Sequence, residues 1–390
     1  SVWAAQVATV WTARVCAPRA RAAVLLIGLS GALLPSPRPA TAAARALPPP
    51  VTFTAEQDHR NIMEQLGIEA LRPGASGDEN DPNHANYDEL LANPYPTLPD
   101  PLRLDDGGKV TTASMWWSQR RPQIVAALEK DVYGRIPADV PKVTWRVEAH
   151  GQGKLGGYPI VYQRLVGHVD NSAYPAIEVD IPVTLVLPAA AQATTHGTAH
   201  GRVPVLIMLW FGPTPVPSTE PSGRELGQIN GALRSALLSV DPSLQAGFRR
   251  HPDLALIGRS PFSAMRPNAD GGPPSIVQLI AAGWGFAVLD PTAVQPDSGA
   301  GLTRGIIGLT NRGQPRTPDQ WGALRAWGWA ASRTLDYLQT DPAVDGRHVG
   351  IEGVSRYGKA ALVAMAFDPR FVMGLIGSSG RGGAALLRRN

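Results

Sequence analysis

Blocks of apolar and polar positions along the chain predict an α/β architecture. Segments 143–149, 160–166 and 177–187 alternate as strands do and suit an antiparallel edge of a sheet. The continuous apolar run at 203–210 suits a strand buried on both faces of a parallel sheet. The segments that follow alternate between predicted helices (276–282, 318–338 and 358–367) and predicted strands (285–290, 348–352 and 372–377). This alternation predicts a mostly parallel sheet with helices on both faces, a three-layer sandwich.

The pattern also divides the chain into regions. These are a predicted signal peptide (1–44), an N-terminal arm and linker (45–108), and an α/β domain (109–390) with an insertion at 213–274. Further helices are predicted at 55–66, 121–132 and 231–238. A long insertion after a parallel strand commonly shapes an active site, so we expect this one to form a substrate wall.

The first region has the features of a secretion signal. Arg14, Arg19 and Arg21 form a basic segment, and residues 22–34 are apolar except for Gly and Ser. Small residues at 41–44 offer cleavage sites. The apolar run is short for a membrane span, although an uncleaved anchor is the alternative. We therefore expect a secreted or periplasmic protein without stable membrane association.

Composition and charge exclude several classes of function. Hydrophobic residues make up 44% of the chain and charged residues 17%, as in an ordinary core-forming protein. The formal net charge is +4, but four arginines lie within 1–44, which contains no Asp or Glu. The rest is nearly neutral, so nucleic-acid binding is not expected. The only cysteine, Cys16, lies in the same region, which excludes disulfides and thiolate chemistry from a processed chain. We expect a monomer.

A serine at a predicted strand–helix junction is the main catalytic candidate. Residues 349–359 have the sequence Val-Gly-Ile-Glu-Gly-Val-Ser-Arg-Tyr-Gly-Lys, which places Ser355 in the turn. Such a turn lifts a hydroxyl clear of the sheet and directs backbone N–H groups at an oxygen that develops charge. Tyr357 replaces the second glycine of the common G-x-S-x-G motif, and Gly358 follows one residue later. The alternative is a serine that only caps the helix.

Longer motifs resemble one family of esterases. Residues 353–359 are similar to the G-C-S-R-x-G-K signature of the glucuronoyl esterases, carbohydrate esterase family 15, with Val354 in place of cysteine. Further segments resemble the bacterial branch of that family: 86–89, 93–96, 115–117, 120–122, 132–135, 321–323, 332–338 and 378–380. The resemblance covers 52–390, is weakest at 213–274, and implies an α/β-hydrolase fold whose last strands are missing.

The resemblance also implies a function and roles for three residues. The reaction is hydrolysis, through an acyl-enzyme, of the ester that joins glucuronic acid on xylan to lignin alcohols. Ser355 is the implied nucleophile, Arg356 stabilises the oxyanion together with the adjacent backbone N–H, and Lys359 binds hydroxyls of the sugar. Cations at a helix start oppose the helix dipole, which favours a functional role over solvated charges. No metal or organic cofactor is implied.

Two departures from the family bear on activity. Many members have a glutamate at the position of Ser378, and a serine cannot hold an imidazolium by charge. The catalytic histidine should follow the nucleophile, yet no histidine follows Ser355. His348 begins the same strand, about 20 Å away at the rise of a strand.

We therefore expect a C-terminally truncated fragment that is inactive as given and folds poorly alone, because missing strands expose a sheet edge. A soluble 45–390 polypeptide that unfolds cooperatively would contradict that expectation. Two rival functions stay open: another secreted carbohydrate esterase of the acetylxylan type, and a non-catalytic remnant that binds carbohydrate.

Other candidate residues carry weaker signals. His196 and His200 are four residues apart, but their Ala, Thr and Gly-rich surroundings favour a loop over a metal site. Asp290 ends a predicted strand and either lines the active-site edge or caps the next turn. We expect Trp321 to lie near the exposed start of its helix.

Overall fold

The computed structural model describes most of the unit that begins at Leu47. The described residues are 47–71, 73–86, 88, 90, 97–192, 201–210, 223–250 and 272–385. The predicted signal peptide, His196 and His200 lie outside them, as does much of the predicted insertion.

A seven-stranded mixed sheet forms the centre of the described residues. Its strands are β1 (Val143–Leu155), β2 (Tyr158–Val169), β3 (Asp180–Pro188), β4 (Val203–Leu209), β5 (Gly285–Leu289), β6 (Val344–Val354) and β7 (Met373–Gly377). The order across the sheet is β1-β2-β3-β5-β4-β6-β7. The pairs β1–β2, β2–β3 and β3–β5 are antiparallel, and the pairs β5–β4, β4–β6 and β6–β7 are parallel. The predicted antiparallel edge and parallel strands are confirmed.

Helices surround this sheet. They are α1 (Ala55–Leu66), α2 (Ala113–Met115), α3 (Arg121–Leu128), α4 (Gly223–Val240), α5 (Gln245–Arg250), α6 (Ser275–Ala281), α7 (Pro291–Val294), α8 (Gly305–Thr310), α9 (Ala323–Leu338) and α10 (Arg356–Phe367). π-Helical turns at Trp116–Arg120 and Glu129–Tyr133 flank α3, so the helix predicted at 121–132 is part of a longer helical segment. Within the described ranges, no helix is both long and apolar enough to cross a bilayer.

The central strands bury both of their faces, as their apolar runs predict. On β4, Val205 and Ile207 contribute to the larger core, which also contains residues of α9 and α10. Leu206 and Met208 contribute to a second core with residues of α6. Because successive side chains of a strand point to opposite faces, a continuous apolar strand fits between two helical layers. The predicted three-layer arrangement follows from this pattern.

Trp321 lies outside α9 and is fully buried, with 0% of its surface exposed. The prediction that it lies near an exposed helix start is therefore wrong. Its backbone N–H donates to Arg135 O at 3.1 Å, and Arg135 N–H donates to Asp319 O at 2.8 Å. The indole packs edge-on against Trp329, with ring centroids 6.0 Å apart. This bridge to the Arg135 segment holds Trp321 against the core, so the helix begins only at Ala323.

The predicted helix at 55–66 is confirmed as α1, and its ends have clear chemical causes. Thr54 and Gln57 form a capping box at the start, each side chain accepting from the other's backbone N–H. Gly67 ends the helix with φ +64°, a conformation that glycine adopts without steric conflict. α1 packs against the segment Gly299–Gly301, where a Cβ on Gly299 would lie 3.3 Å from Ala55 Cα. The N-terminal arm is thus fixed to a loop of the α/β domain.

Glu352 is a carboxylate within the sheet. It lies on β6, where Met208 of β4 and Leu375 of β7 are its neighbours in register. The side chain is half-buried and forms no ion pair with any described residue. Burial raises the pKa of the Glu352 carboxyl above its ordinary value. Burial disfavours the charged form of the carboxyl in the folded protein. The free energy of unfolding therefore falls as the pH rises from the unfolded-state pKa through the higher folded-state pKa of this group.

We predict that Glu352→Gln stabilises the folded protein at neutral pH. The amide has a similar shape and does not ionise, so the variant avoids the loss of stability above the ordinary carboxyl pKa of 4.5. Urea unfolding from acid to neutral pH should show a difference that grows with pH. Glu148→Gln, at an exposed position on β1, is the control and should change stability little. An identical pH dependence for wild type and Glu352→Gln would contradict the prediction.

Candidate active site

Ser355 lies in a tight turn between β6 and α10 with an unusual backbone conformation. Its φ is 58° and its ψ is −124°, and its residue surface is exposed. A positive φ in a residue with a Cβ is sparsely populated and costs on the order of 1–3 kcal/mol. Such strain persists only where surrounding structure imposes it, and it concentrates at functional sites. The predicted strand–turn–helix geometry is therefore present.

Hydrogen bonds and two glycines hold this turn. Ser355 N–H donates to Gly377 O of β7 at 2.8 Å, and Lys359 N–H donates to Ser355 O at 3.0 Å. A Cβ on Gly353 would overlap the carbonyl group of Tyr357 and lie 2.9 Å from Gly358 N. A Cβ on Gly358 would lie 2.7 Å from Gly377 O. Both positions exclude any larger residue without a shift of the backbone.

This geometry explains the departure from the G-x-S-x-G motif. The backbone of α10 lies against Gly377 of β7 at Gly358, so a glycine is required there, whereas the side chain at 357 has room in the core. Tyr357 instead points into the core, with 1% of its surface exposed. Its ring packs edge-on against Trp327, with centroids 5.3 Å apart. The tyrosine thereby anchors the first turn of α10 to α9.

The start of α10 offers a backbone donor beside the serine. The first N–H groups of a helix have no intrahelical acceptor, and they carry the positive end of the helix dipole. Within the described residues, the N–H of Arg356 has no hydrogen-bond acceptor. A donor next to an exposed hydroxyl suits an oxyanion that forms after attack on a carbonyl.

The Arg356 guanidinium pairs with Asp297, a residue that the sequence pattern does not single out. Arg356 Nη1 donates to Asp297 Oδ2, and the two side chains are 54% and 32% exposed. The carboxylate raises the pKa of Arg356, which keeps the guanidinium charged. Asp297 follows α7, in the connection after β5, so it lies at the same edge of the sheet as the end of β6. The one feature of the sequence that points to Asp297 is its place after the end of a parallel strand.

Asp290 caps the turn that follows its strand, which is one of the two roles predicted for it. Its Oδ1 accepts from Thr292 N at 2.9 Å and from Thr292 Oγ1 at 2.6 Å, which caps α7. The capping role positions the connection that carries Asp297.

Lys359 lies one turn after Ser355 and contacts the segment that follows β7. A Cβ on Gly383 would lie 3.1 Å from Lys359 Cγ, and one on Gly380 would lie 3.9 Å from Lys359 Nζ. Gly382 O accepts from Tyr133 Oη at 3.1 Å, which fixes the segment from the other side. Burial raises the pKa of Tyr133, so its hydroxyl stays a donor. The lysine side chain therefore packs along this segment.

Ser378, which stands where many glucuronoyl esterases have a glutamate, lies next to the turn but carries no charge. Ser378 directly follows Gly377, the partner of Val354 in the β6–β7 ladder, and it is exposed with φ 43°. His348 lies in the first half of β6, on the side away from Ser355, where it pairs with Asp345 at 2.7 Å. Neither residue therefore places a histidine or a carboxylate beside Ser355.

One group of side chains has donors suited to a metal ion. Ligand atoms of His168, Glu178 and Asp180 lie within 4.8 Å of one another. His168 faces Asp180 across the β2–β3 ladder, and their side chains pair at 2.9 Å. The group lies on the antiparallel strands and contributes nothing to the turn at Ser355, whose predicted chemistry requires no metal.

Comparison with known proteins places this geometry in a family. A family model described as "Glucuronyl esterase, fungi" matches residues 316–390. A CE15 glucuronoyl esterase from Teredinibacter turnerae T7901 has a similar structure, with a TM-score of 0.65 and 35% identity over 86% of this chain and 69% of that one. The chain belongs to carbohydrate esterase family 15. The predicted resemblance to the glucuronoyl esterases and the α/β-hydrolase fold are confirmed.

Two further proteins are also similar to this chain. The glucuronoyl esterase from Solibacter usitatus has a TM-score of 0.56 and 32% identity over 78% of this chain and 68% of that one. Carbohydrate esterase MZ0003, from an unknown prokaryotic organism, is 30% identical over 310 residues, or 79% of this chain. The chain spans 64% of the length of that relative.

We predict that Gly353→Ala nearly abolishes ester turnover. The added Cβ displaces the first turn of α10 relative to Ser355, and misplacement by about 1 Å can lower turnover about a hundredfold. Steady-state kinetics of the full-length protein measures the loss. Gly74→Ala, at an exposed position in the segment 73–86 with open space around the added Cβ, is the control and should leave kcat unchanged. A Gly353→Ala variant with wild-type kcat would show that the close approach is unimportant.

Proposed function

We propose that the protein is a serine carboxylic-ester hydrolase that cleaves glucuronate esters linking glucuronoxylan to lignin. The observation that carries the proposal is the exposed, strained turn at Ser355, next to an N–H that has no acceptor among the described residues and a guanidinium paired with Asp297. Family membership supports the choice of a glucuronate ester, since the similar solved structures are named glucuronoyl esterases. Export to the periplasm or the medium, where plant polymers are met, is part of the proposal.

In the proposed mechanism, Ser355 Oγ attacks the C6 carbonyl carbon of the glucuronate ester. A histidine takes the hydroxyl proton, and the carbonyl oxygen becomes an oxyanion that the Arg356 N–H and guanidinium stabilise. Collapse of this intermediate breaks the bond to the alcohol, which leaves with the proton from the histidine. Water then attacks the acyl-enzyme and releases glucuronate and free Ser355.

The histidine and its carboxylate partner are assigned to residues beyond Asn390. The order of catalytic residues in this fold is serine, acid, histidine, and no histidine follows Ser355 in the present sequence. Ser378 leaves the usual acid position without a charge, which favours an acid on a later loop. Activity is therefore proposed for the full-length protein and not for residues 1–390 alone.

Lys359 is assigned to sugar hydroxyls. It lies one helical turn from Ser355, and its side chain packs along the glycine-rich segment after β7. An ammonium group donates three hydrogen bonds, which suits the hydroxyls of a pyranose ring. This residue favours a uronate ester over an acetyl ester, because the acyl part of a uronate ester carries ring hydroxyls that stay in the site with the acyl-enzyme, whereas an acetyl group carries none.

We predict that Ser355→Ala lowers turnover of benzyl glucuronate by at least about a thousandfold, because loss of a nucleophile removes covalent catalysis. Product formation by the full-length protein and the variant measures the effect, with acetylated xylan as a second substrate. Ser378→Ala is the control and should keep most of the activity. Equal rates for wild type and Ser355→Ala would end the proposal, and faster release of acetate than of benzyl alcohol would favour the acetylxylan type.

A further inference from the structure

We propose that Asp297 is a positioning residue for the reaction, which acts by orienting the Arg356 guanidinium toward the oxyanion. The inference rests on the proposed function, and it extends the site to a residue in a different connection of the sheet. Asp297 would not touch the substrate. Its effect would pass entirely through the ion pair with Arg356.

Arg356 needs a partner to act as a directed donor. It is the first residue of α10, and 54% of its side chain is exposed. An exposed arginine samples many rotamers, and the helix dipole repels a cation at this end. The pair with Asp297 opposes both effects, because the carboxylate offsets the repulsion by the helix dipole and its hydrogen bond to Nη1 restricts the guanidinium to fewer orientations.

The pair leaves enough donors for the oxyanion. A guanidinium carries five N–H groups, and the recorded bond to Asp297 uses Nη1. Among the described residues, Nη2 and Nε have no other acceptor, so their N–H groups are available for an oxygen that develops charge beside Ser355. An exposed ion pair contributes little to the stability of the fold. We therefore assign this pair the role of orienting the Arg356 guanidinium.

The connection that carries Asp297 is built rigidly on both sides. Gln295 has 0% of its surface exposed, and its side chain donates to Gly301 O at 2.9 Å and accepts from Ile307 N at 3.1 Å. The backbone O of Gln295 accepts from Trp327 Nε1 at 2.8 Å. A buried amide with both of its polar ends satisfied defines one loop conformation. Asp297 lies between these fixed points.

The N-terminal arm closes the outer side of the same connection. A Cβ on Gly299 would lie 3.3 Å from Ala55 Cα and 3.3 Å from Asp58 Oδ2, both on α1. Asp58 is itself buried, with 7% of its surface exposed. The connection therefore has little room to move outward, and a rigid support is what a positioning carboxylate requires.

A double-mutant cycle on the full-length protein tests the inference. Asp297→Asn should lower kcat for benzyl glucuronate about tenfold with KM changed less than about twofold, because the lost interaction acts in the transition state. In the Arg356→Ala background, Asp297→Asn should change kcat by less than about twofold, since residues that act as a unit are not additive. Asp297→Glu keeps the charge and should recover part of the loss.

Controls separate this outcome from a structural effect and from failure of the proposed function. Asp105→Asn removes the carboxylate from another arginine pair, the one with Arg120, and should leave kcat unchanged. A wild-type kcat for Asp297→Asn, or an equal loss in both backgrounds, would overturn the inference. If Ser355→Ala were fully active, the proposed function itself would fail. If Ser355→Ala were inactive and Asp297→Asn unchanged, only the role of Asp297 would fail.

Discussion

The left-handed backbone of Ser355 is the constraint on which the rest of the site depends. A residue with a Cβ holds φ 58° only where the surrounding structure imposes it. Here the constraints are the hydrogen bond from Ser355 N–H to Gly377 O and the close backbone contacts at Gly353 and Gly358. The same turn ends β6, starts α10 and leaves the Arg356 N–H without an acceptor among the described residues. Strain, exposure and a directed donor therefore arise from one local arrangement.

Local patterns in the sequence were sufficient for the elements that carry this turn. The apolar run of β4, the alternation of β1 to β3 and the Gly-x-Ser segment each reflect contacts within a few residues along the chain or a fixed strand period. Asp297 could not be found in this way, because it lies 59 residues before Arg356 and meets it only through the arrangement of β5, β4 and β6. Trp321 was misplaced for the same reason, since its burial depends on a bridge to Arg135.

The N-terminal arm is part of the support of the site. α1 packs on the segment at Gly299, the connection that includes this segment carries Asp297, and Asp297 pairs with the residue after Ser355. Tyr133 donates to Gly382 O of the segment that packs along Lys359. Both Arg356 and Lys359 are thus linked to parts of the chain that precede the parallel strands. This arrangement accounts for family-like motifs outside the turn, such as the one that contains Tyr133.

The account predicts that one hydroxyl is reactive because of where the fold places it. The most direct test treats the full-length protein with a fluorophosphonate ester, which attacks activated serines, and locates the adduct by mass spectrometry of peptides. A single adduct on Ser355, absent after Ser355→Ala, is the expected result. An unmodified Ser355 in a protein that still hydrolyses glucuronate esters, or an adduct on a different serine, would contradict the account.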